Sequence, residues 1–291
     1  MKRLLVYIVL MIWCYCNMYA QLLYEISGNG LSKSSYLFGT YHMVHTEMTK
    51  FVPGVFRAFN DCSAVVGEFV DEMDGTGSTE LKRRILASAQ MELSMFDLLN
   101  KDEAILVDSA LREEMGLSLS ELQYFRPNVI KMVYEMTVNE NMGKGNKHEI
   151  SIDSYFQVAA AELGKAVYGL ETIEMQVDMF FRSKSIEQQS KLLVETIRNK
   201  NTIENNYKKI EKLYRDCDIN GLYSMLIETE NITEAEKFLY IDERNFDWMP
   251  KIEKYIKSEP CFIAVNALHL PGKDGLITLL RKAGYKVKEV K

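Results

Sequence analysis

The chain is expected to form a mixed α/β (α+β) fold, in which a central sheet is flanked by helices and interrupted by a large helical insertion. Three observations predict it. Apolar runs of strand length stand near both ends of the 291-residue sequence. The long stretches between them, 79–163 and 171–258, repeat apolar residues at the three- and four-residue spacing of a helix. Strands separated by helices pack as a layered sheet with helices on its faces.

Leu22–Ile26 and Ser35–Gly39 read as two short strands joined by the turn SGNGLSKS. Phe51–Asn60 reads as a helix with Pro53 in its first turn. Ser63–Phe69 (SAVVGEF) is a buried strand carrying one acidic residue. Helical segments follow to Leu163, broken at Lys144–Ile150. The last of them, SIDSYFQVAAAEL, is entered through Ser or Asp as cap and ends before Gly164. AVYGL at 166–170 is another strand. Helices then run from Glu171 to Ser258, with breaks near Asp216–Gly221 and Glu230–Thr233. Cys261–Asn266 is a strand, Asp274–Ala283 a helix closed by Gly284, and Tyr285–Val290 an edge strand.

Composition is that of a globular chain, 47% apolar and 26% charged. The net charge is −6 and there is no basic run, which excludes a nucleic-acid footprint. Residues 1–20 read as a secretory leader. MKRLL carries two positive charges, VYIVLMIW is an apolar core, and cleavage is expected near Ala20–Gln21. An uncleaved anchor is the alternative, although the stretch is short for a span and is broken by Asn17. The residues before Cys14 and Cys16 are too bulky for a lipid-attachment box. The expected setting is secreted or periplasmic, with cell-surface association and a nearby membrane left open, and 21–291 forms one domain. Beyond the leader, Cys62, Cys217 and Cys261 are too few for a disulfide framework. Buried thiols are expected at Cys62 and Cys261.

Two histidines share one setting. In YLFGTYHMVH, His42 stands three residues past Gly39. In CFIAVNALHL, His269 stands three past Asn266. Ligands bind where loops leave the carboxyl ends of strands, so the two can face one cleft. Gly39 would permit a tight turn there, and Asn266 tolerates positive φ in the equivalent place. Glu68 adds a carboxylate on a buried strand, which requires a paired or bound cation. Two imidazoles and a carboxylate suit a divalent transition metal (Mn, Co, Zn or Fe), whose bound water could attack an amide or ester. Equally, Glu68 could act as a base beside metal-free histidines. Each residue alone also has an ordinary structural reading. The sequence has no G-x-S-x-G, H-E-x-x-H or P-loop.

The order of motifs resembles the TraB/GumN family, whose animal relatives are the Tiki membrane proteases. The resemblance runs over residues 22–290. It is carried by LLYEISGNGLSKSSYLFGTYHMVH, SAVVGEF, YGLETIEMQ, ERNFDWMPKI and AVNALHLPGKDGLITLLRKAGYKV. It implies an erythromycin-esterase/ChaN-like fold and a metal-dependent peptidase acting on peptide or protein substrates. It places His42, Glu68 and His269 on the family's metal and catalytic positions. It also places Arg244 where it could bind a substrate carboxylate or stabilise an oxyanion, with a surface ion pair as the alternative. Glu171, directly after a strand, could face the same cleft or serve as a first-turn helix charge. Gln176 falls on the same segment. The family usually has Gly at the position of Asn266. His45 is an extra ligand or a loop residue, and His148 has no role.

Two rival readings stay open. One is a metal-independent hydrolase. The other is a non-catalytic protein that binds haem, a metal or a peptide, with Tyr41 or Met43 as possible axial ligands beside His42. Met91, Met95, Met115, Met132, Met136 and Met142 recur through the helical insertion, either as core or as an adaptable lid. Substrate, metal identity and oligomeric state are not legible.

Overall fold

A computed structural model describes residues 21–42, 44, 46–70, 79–142, 151–182, 184–229 and 232–291. The expected leader with Cys14 and Cys16, and also Met43, His45 and His148, lie outside them.

Six strands form one sheet: β1 (Leu23–Ser27), β2 (Ser35–Thr40), β3 (Ala64–Gly67), β4 (Ala166–Gly169), β5 (Cys261–Asn266) and β6 (Lys286–Glu289). Their order across the sheet is β4-β3-β5-β2-β1-β6. The pairs β2–β5, β5–β3 and β3–β4 are parallel. β1 runs antiparallel to β2 and to β6. The sequence explains this division. β3 and β5 are continuous apolar runs, AVVG and CFIAVN, as expected of parallel strands covered on both faces. β6, KVKE, buries only Val287, which suits its place at the edge.

One face of the sheet is covered by α1 (Val55–Asp61) and α7 (Ile152–Glu162). There Phe59 and Phe156 pack on Phe38 and Phe262, with ring centroids 4.8–5.8 Å apart. The same core takes in Trp248 and Ile252 of α13 (Glu243–Ser258), and Leu276 and Leu280 of α14 (Leu276–Lys282). The helical insertion between β3 and β4 builds a separate core. It joins Met95, Leu99, Val107, Leu111, Leu119, Ile130 and Tyr134 to Leu193 and Ile197 of α9 (Ile186–Arg198). Met95 is therefore core, Met91 and Met115 pack beside it, and Met136 is exposed.

The helix expected over 51–60 divides. A 3₁₀ turn covers Thr46–Phe51, and α1 begins only after Gly54, at φ 75°. That left-handed backbone stops the helix from reaching back to Pro53. Cys62, Cys217 and Cys261 are buried and free. Among the described residues, no helix is long and apolar enough to cross a membrane.

Candidate active site at the carboxyl edge of the sheet

Four of the nominated side chains leave the carboxyl ends of four adjacent parallel strands. His42 follows β2, His269 follows β5, Glu68 follows β3 and Glu171 follows β4. Neighbouring strands lie about 4.8 Å apart, so this order alone gathers the four at one rim. Glu68 is one residue beyond its strand rather than on it. Its backbone carbonyl accepts from Glu171 N at 2.7 Å, which ties the two loops together.

The turn chemistry differs from expectation. Gly39 and Asn266 both keep ordinary negative φ, and Asn266 sits at −53°. Gly39 is needed for room: a Cβ there would meet Ala267 Cα and Cβ at 3.2 Å. Asn266 is a cap, its side chain accepting from Leu268 N at 3.0 Å to start the 3₁₀ turn Ala267–His269.

The cation beside Glu68 is Arg244. This guanidinium donates from Nε to Glu171 Oε1 at 2.7 Å, and from one terminal nitrogen to Glu171 Oε2 at 3.0 Å and Glu68 Oε2 at 2.7 Å. The other terminal nitrogen meets Tyr240 O at 3.1 Å and His269 Nε2 at 3.1 Å. All five N–H groups are thus engaged. Arg244 does form an ion pair, but a buried one and not the surface pair of the alternative reading: the Arg244, Glu68 and Glu171 side chains are 14%, 7% and 4% exposed. In this arrangement Arg244 has no N–H left for a substrate carboxylate or an oxyanion. Arg244 lies over the Trp248 ring, 4.7 Å to its centroid, and Trp248 Nε1 donates to Glu171 at 2.8 Å.

Glu68 is further held by Gln176 Nε2 at 3.1 Å and by the backbone N–H of Asn266 at 2.8 Å. Burial pushes its carboxyl upward, but Arg244 and the two histidines outweigh this and hold it at about 2. His269, buried and beside Arg244, is pushed down to about 3.

His42 is different. Its side chain is half exposed, and Nδ1 lies 2.8 Å from Asp153 Oδ2 in the first turn of α7. That oxygen is buried and lies off the N–H line, so the contact is a close ion pair rather than an aligned hydrogen bond. Thr40 Oγ1 donates to the other Asp153 oxygen. Burial opposes the charged ring, but Asp153 prevails and raises His42 to about 9.

The sequence matches a known family: the TraB/PrgY/gumN family model covers residues 22–289. The chain belongs to the TraB/PrgY/gumN family. No curated protein and no solved structure matches it. Within this TraB/PrgY/gumN domain, the nominated residues Glu68, Glu171, Gln176, Arg244 and His269 are joined by hydrogen bonds, and His42, paired with Asp153, stands at the same strand-end rim. The reading of residues missed Asp153, which looked like a helix cap in SIDSYF. It also missed Asn245 and Trp248, whose signal was the R-N-x-x-W segment itself. Among the described residues, no three His, Cys, Asp or Glu side chains are disposed to hold a metal ion. The reason is visible: the Glu68 and His269 lone pairs turn toward the guanidinium. The donors free of it are His42 and Asp153.

Proposed function

We propose that this family member is a hydrolase of amide or ester bonds, with peptides as its substrate class and His42 as general base. One observation carries the reading: at this rim, His42 pairs its Nδ1 with a buried carboxylate while keeping its ring half open to solvent. Asp153 pairs with the Nδ1 side of the ring, so that once His42 loses its proton, above its raised pKa of about 9, Nε2 carries the free lone pair. Nε2 takes a proton from water, the water oxygen attacks the carbonyl carbon, and the imidazolium returns the proton to the leaving amine or alcohol. Arg244 keeps Glu68, Glu171 and His269 in place beneath.

A divalent transition ion (Mn, Co, Zn or Fe) is a second reading, favoured by charge. Three carboxylates, Glu68, Glu171 and Asp153, stand against two cations, Arg244 paired with the first two and His42 paired with Asp153, and Asp153 Oδ2 lacks an aligned donor. His42 and Asp153 would hold the ion, and its chemistry is activation of water. Glu68 and His269 could join only if Arg244 released them. We place the protein outside the cytoplasm, after loss of residues 1–20.

The deciding experiment measures hydrolysis of peptide and ester libraries by the purified protein and by His42→Ala, with and without chelator, alongside metal content. Activity lost in His42→Ala and kept in chelator supports the general base. Activity lost in chelator and restored by one metal supports the ion. No turnover and no stoichiometric metal overturns both readings and leaves a binding protein, for which a Soret band would identify haem.

A further inference from the structure

We propose that Asn245 is a positioning residue that locks His269 as its neutral Nδ1–H tautomer, presenting an Nε2 lone pair to the centre of the cluster. The two spaced histidines then differ in what they offer: His42 has an open Nε2, whereas His269 is a fixed acceptor.

The geometry defines the amide first. Asn245 is fully buried, and its Nδ2 donates to His269 O at 3.2 Å and to Asp274 O at 3.0 Å. Carbonyl oxygens only accept, so the two N–H groups must face them. A flipped amide would set its oxygen against both carbonyls. The Asn245 oxygen is therefore committed to the third contact, His269 Nδ1 at 2.8 Å, and Nδ1 must carry the hydrogen. The other ring nitrogen faces Arg244 at 3.1 Å, and a guanidinium has only donors. A proton on Nε2 would set two N–H groups, its own and that of Arg244, against each other across that distance. Both partners therefore demand the same tautomer, one from each side of the ring. Trp248, tilted over the imidazole at 4.2 Å between centroids, keeps the ring from turning over.

Sequence and backbone explain why Asn245 can do this. It follows Arg244 directly, so α13 delivers the donor for Nε2 and the acceptor for Nδ1 from adjacent positions. A single π-helical turn, Phe238–Asp242, precedes α13. Such turns locally widen a helix and are frequent at functional sites. Tyr240 O in that turn accepts from Arg244.

The test uses the four-histidine spectrum. The full protein is labelled with ¹⁵N-histidine, dialysed against chelator, and examined at neutral pH by long-range ¹H–¹⁵N correlation, with His269→Gln to assign the signal. The expected wild-type pattern for His269 is a neutral ring protonated at Nδ1. Asn245→Leu, which removes the acceptor, should abolish it. A wild-type His269 protonated at Nε2, or an imidazolium, overturns the proposal even if Asn245→Leu fails to fold. A folded Asn245→Leu with an unchanged pattern also overturns it. A kinetic arm deepens the hydrolase reading and rests on it: Asn245→Leu should lose about 10–100-fold in kcat with little change in KM. The spectrum decides the tautomer whether or not a substrate is found, so the two ideas fail separately.

Discussion

Replacing Arg244 by Gln tests the architecture of the site most directly. Arg244 is the cation for two buried carboxylates, and its donors make five contacts of 2.7–3.1 Å. Breaking a buried pair by removing one partner costs about 3–5 kcal/mol, because the remaining charge stays desolvated. With Glu68 and Glu171 both left behind at 7% and 4% exposure, a loss of roughly 4 kcal/mol at pH 7 is expected. For a domain of this size that lowers Tm by roughly 10 °C. The assay is urea unfolding of residues 21–291 followed by fluorescence of Trp248, since the other tryptophan, Trp13, lies in the expected leader. The pH dependence supplies a second readout. In the wild type, burial tends to raise the Glu68 carboxyl, but Arg244 and the histidines hold it at about 2, below its unfolded value. Its stabilisation is therefore present above the unfolded value and is lost as pH falls toward 2. Without Arg244 the same burial raises Glu68, so acid relieves the variant, and its deficit should shrink between pH 7 and pH 5. A deficit below about 1 kcal/mol, typical of an exposed pair, would refute the buried network. So would a deficit that stays constant with pH.

Three further outcomes are expected. Asp153→Asn removes the charge that lifts His42 to about 9. The alkaline limb of kcat/KM, rising as His42 loses its proton, should move toward neutral pH while the maximal rate falls about 10²–10⁴-fold; an unmoved limb would exclude His42 as the base. Gly39→Ala sets a methyl 3.2 Å from the backbone of Ala267, two residues past Val265, the partner of Gly39 across β2 and β5, and should cost about 1–3 kcal/mol by thermal unfolding, whereas an unchanged Tm would mean that the turn yields freely. Gln176→Leu removes the 3.1 Å bond to Glu68 and should cost about 1.5–3 kcal/mol in urea, a loss that the double variant with Glu68→Gln should not add to.

Much of the fold is local in origin and hence readable. β5 begins and ends where the apolar run CFIAVN does, because a strand covered on both faces has no room for polar residues. Ser151 caps α7 as its hydroxyl chemistry predicts, accepting from Ser154 N. Gly164 and Gly284 take the positive φ that ends helices. The split of the 51–60 helix was not readable, since Pro53-Gly54 is compatible with either a helical first turn or a break. The break follows from Gly54 adopting the left-handed region.

The candidate site divides in the same way. By itself the sequence determined which side chains stand at strand ends, because an apolar run followed by a turn and a polar residue is a local pattern. His42 and His269 were visible on that basis, Glu68 stood out as the one acidic residue of an apolar run, and Glu171 was marked by the family resemblance. Only the tertiary structure decided that β2 and β5, more than two hundred residues apart, lie side by side and parallel, bringing their histidines to one edge. It also decided what the polar groups do once there. Asp153 reads as a helix-start residue until α7 packs its first turn against His42. Arg244 reads as a free cation until α13 buries it between two carboxylates and fills every donor. The physical reason is one of range. Strand and cap preferences are set by neighbours a few residues away, whereas desolvation, charge pairing and hydrogen-bond saturation depend on side chains that only the folded chain makes neighbours.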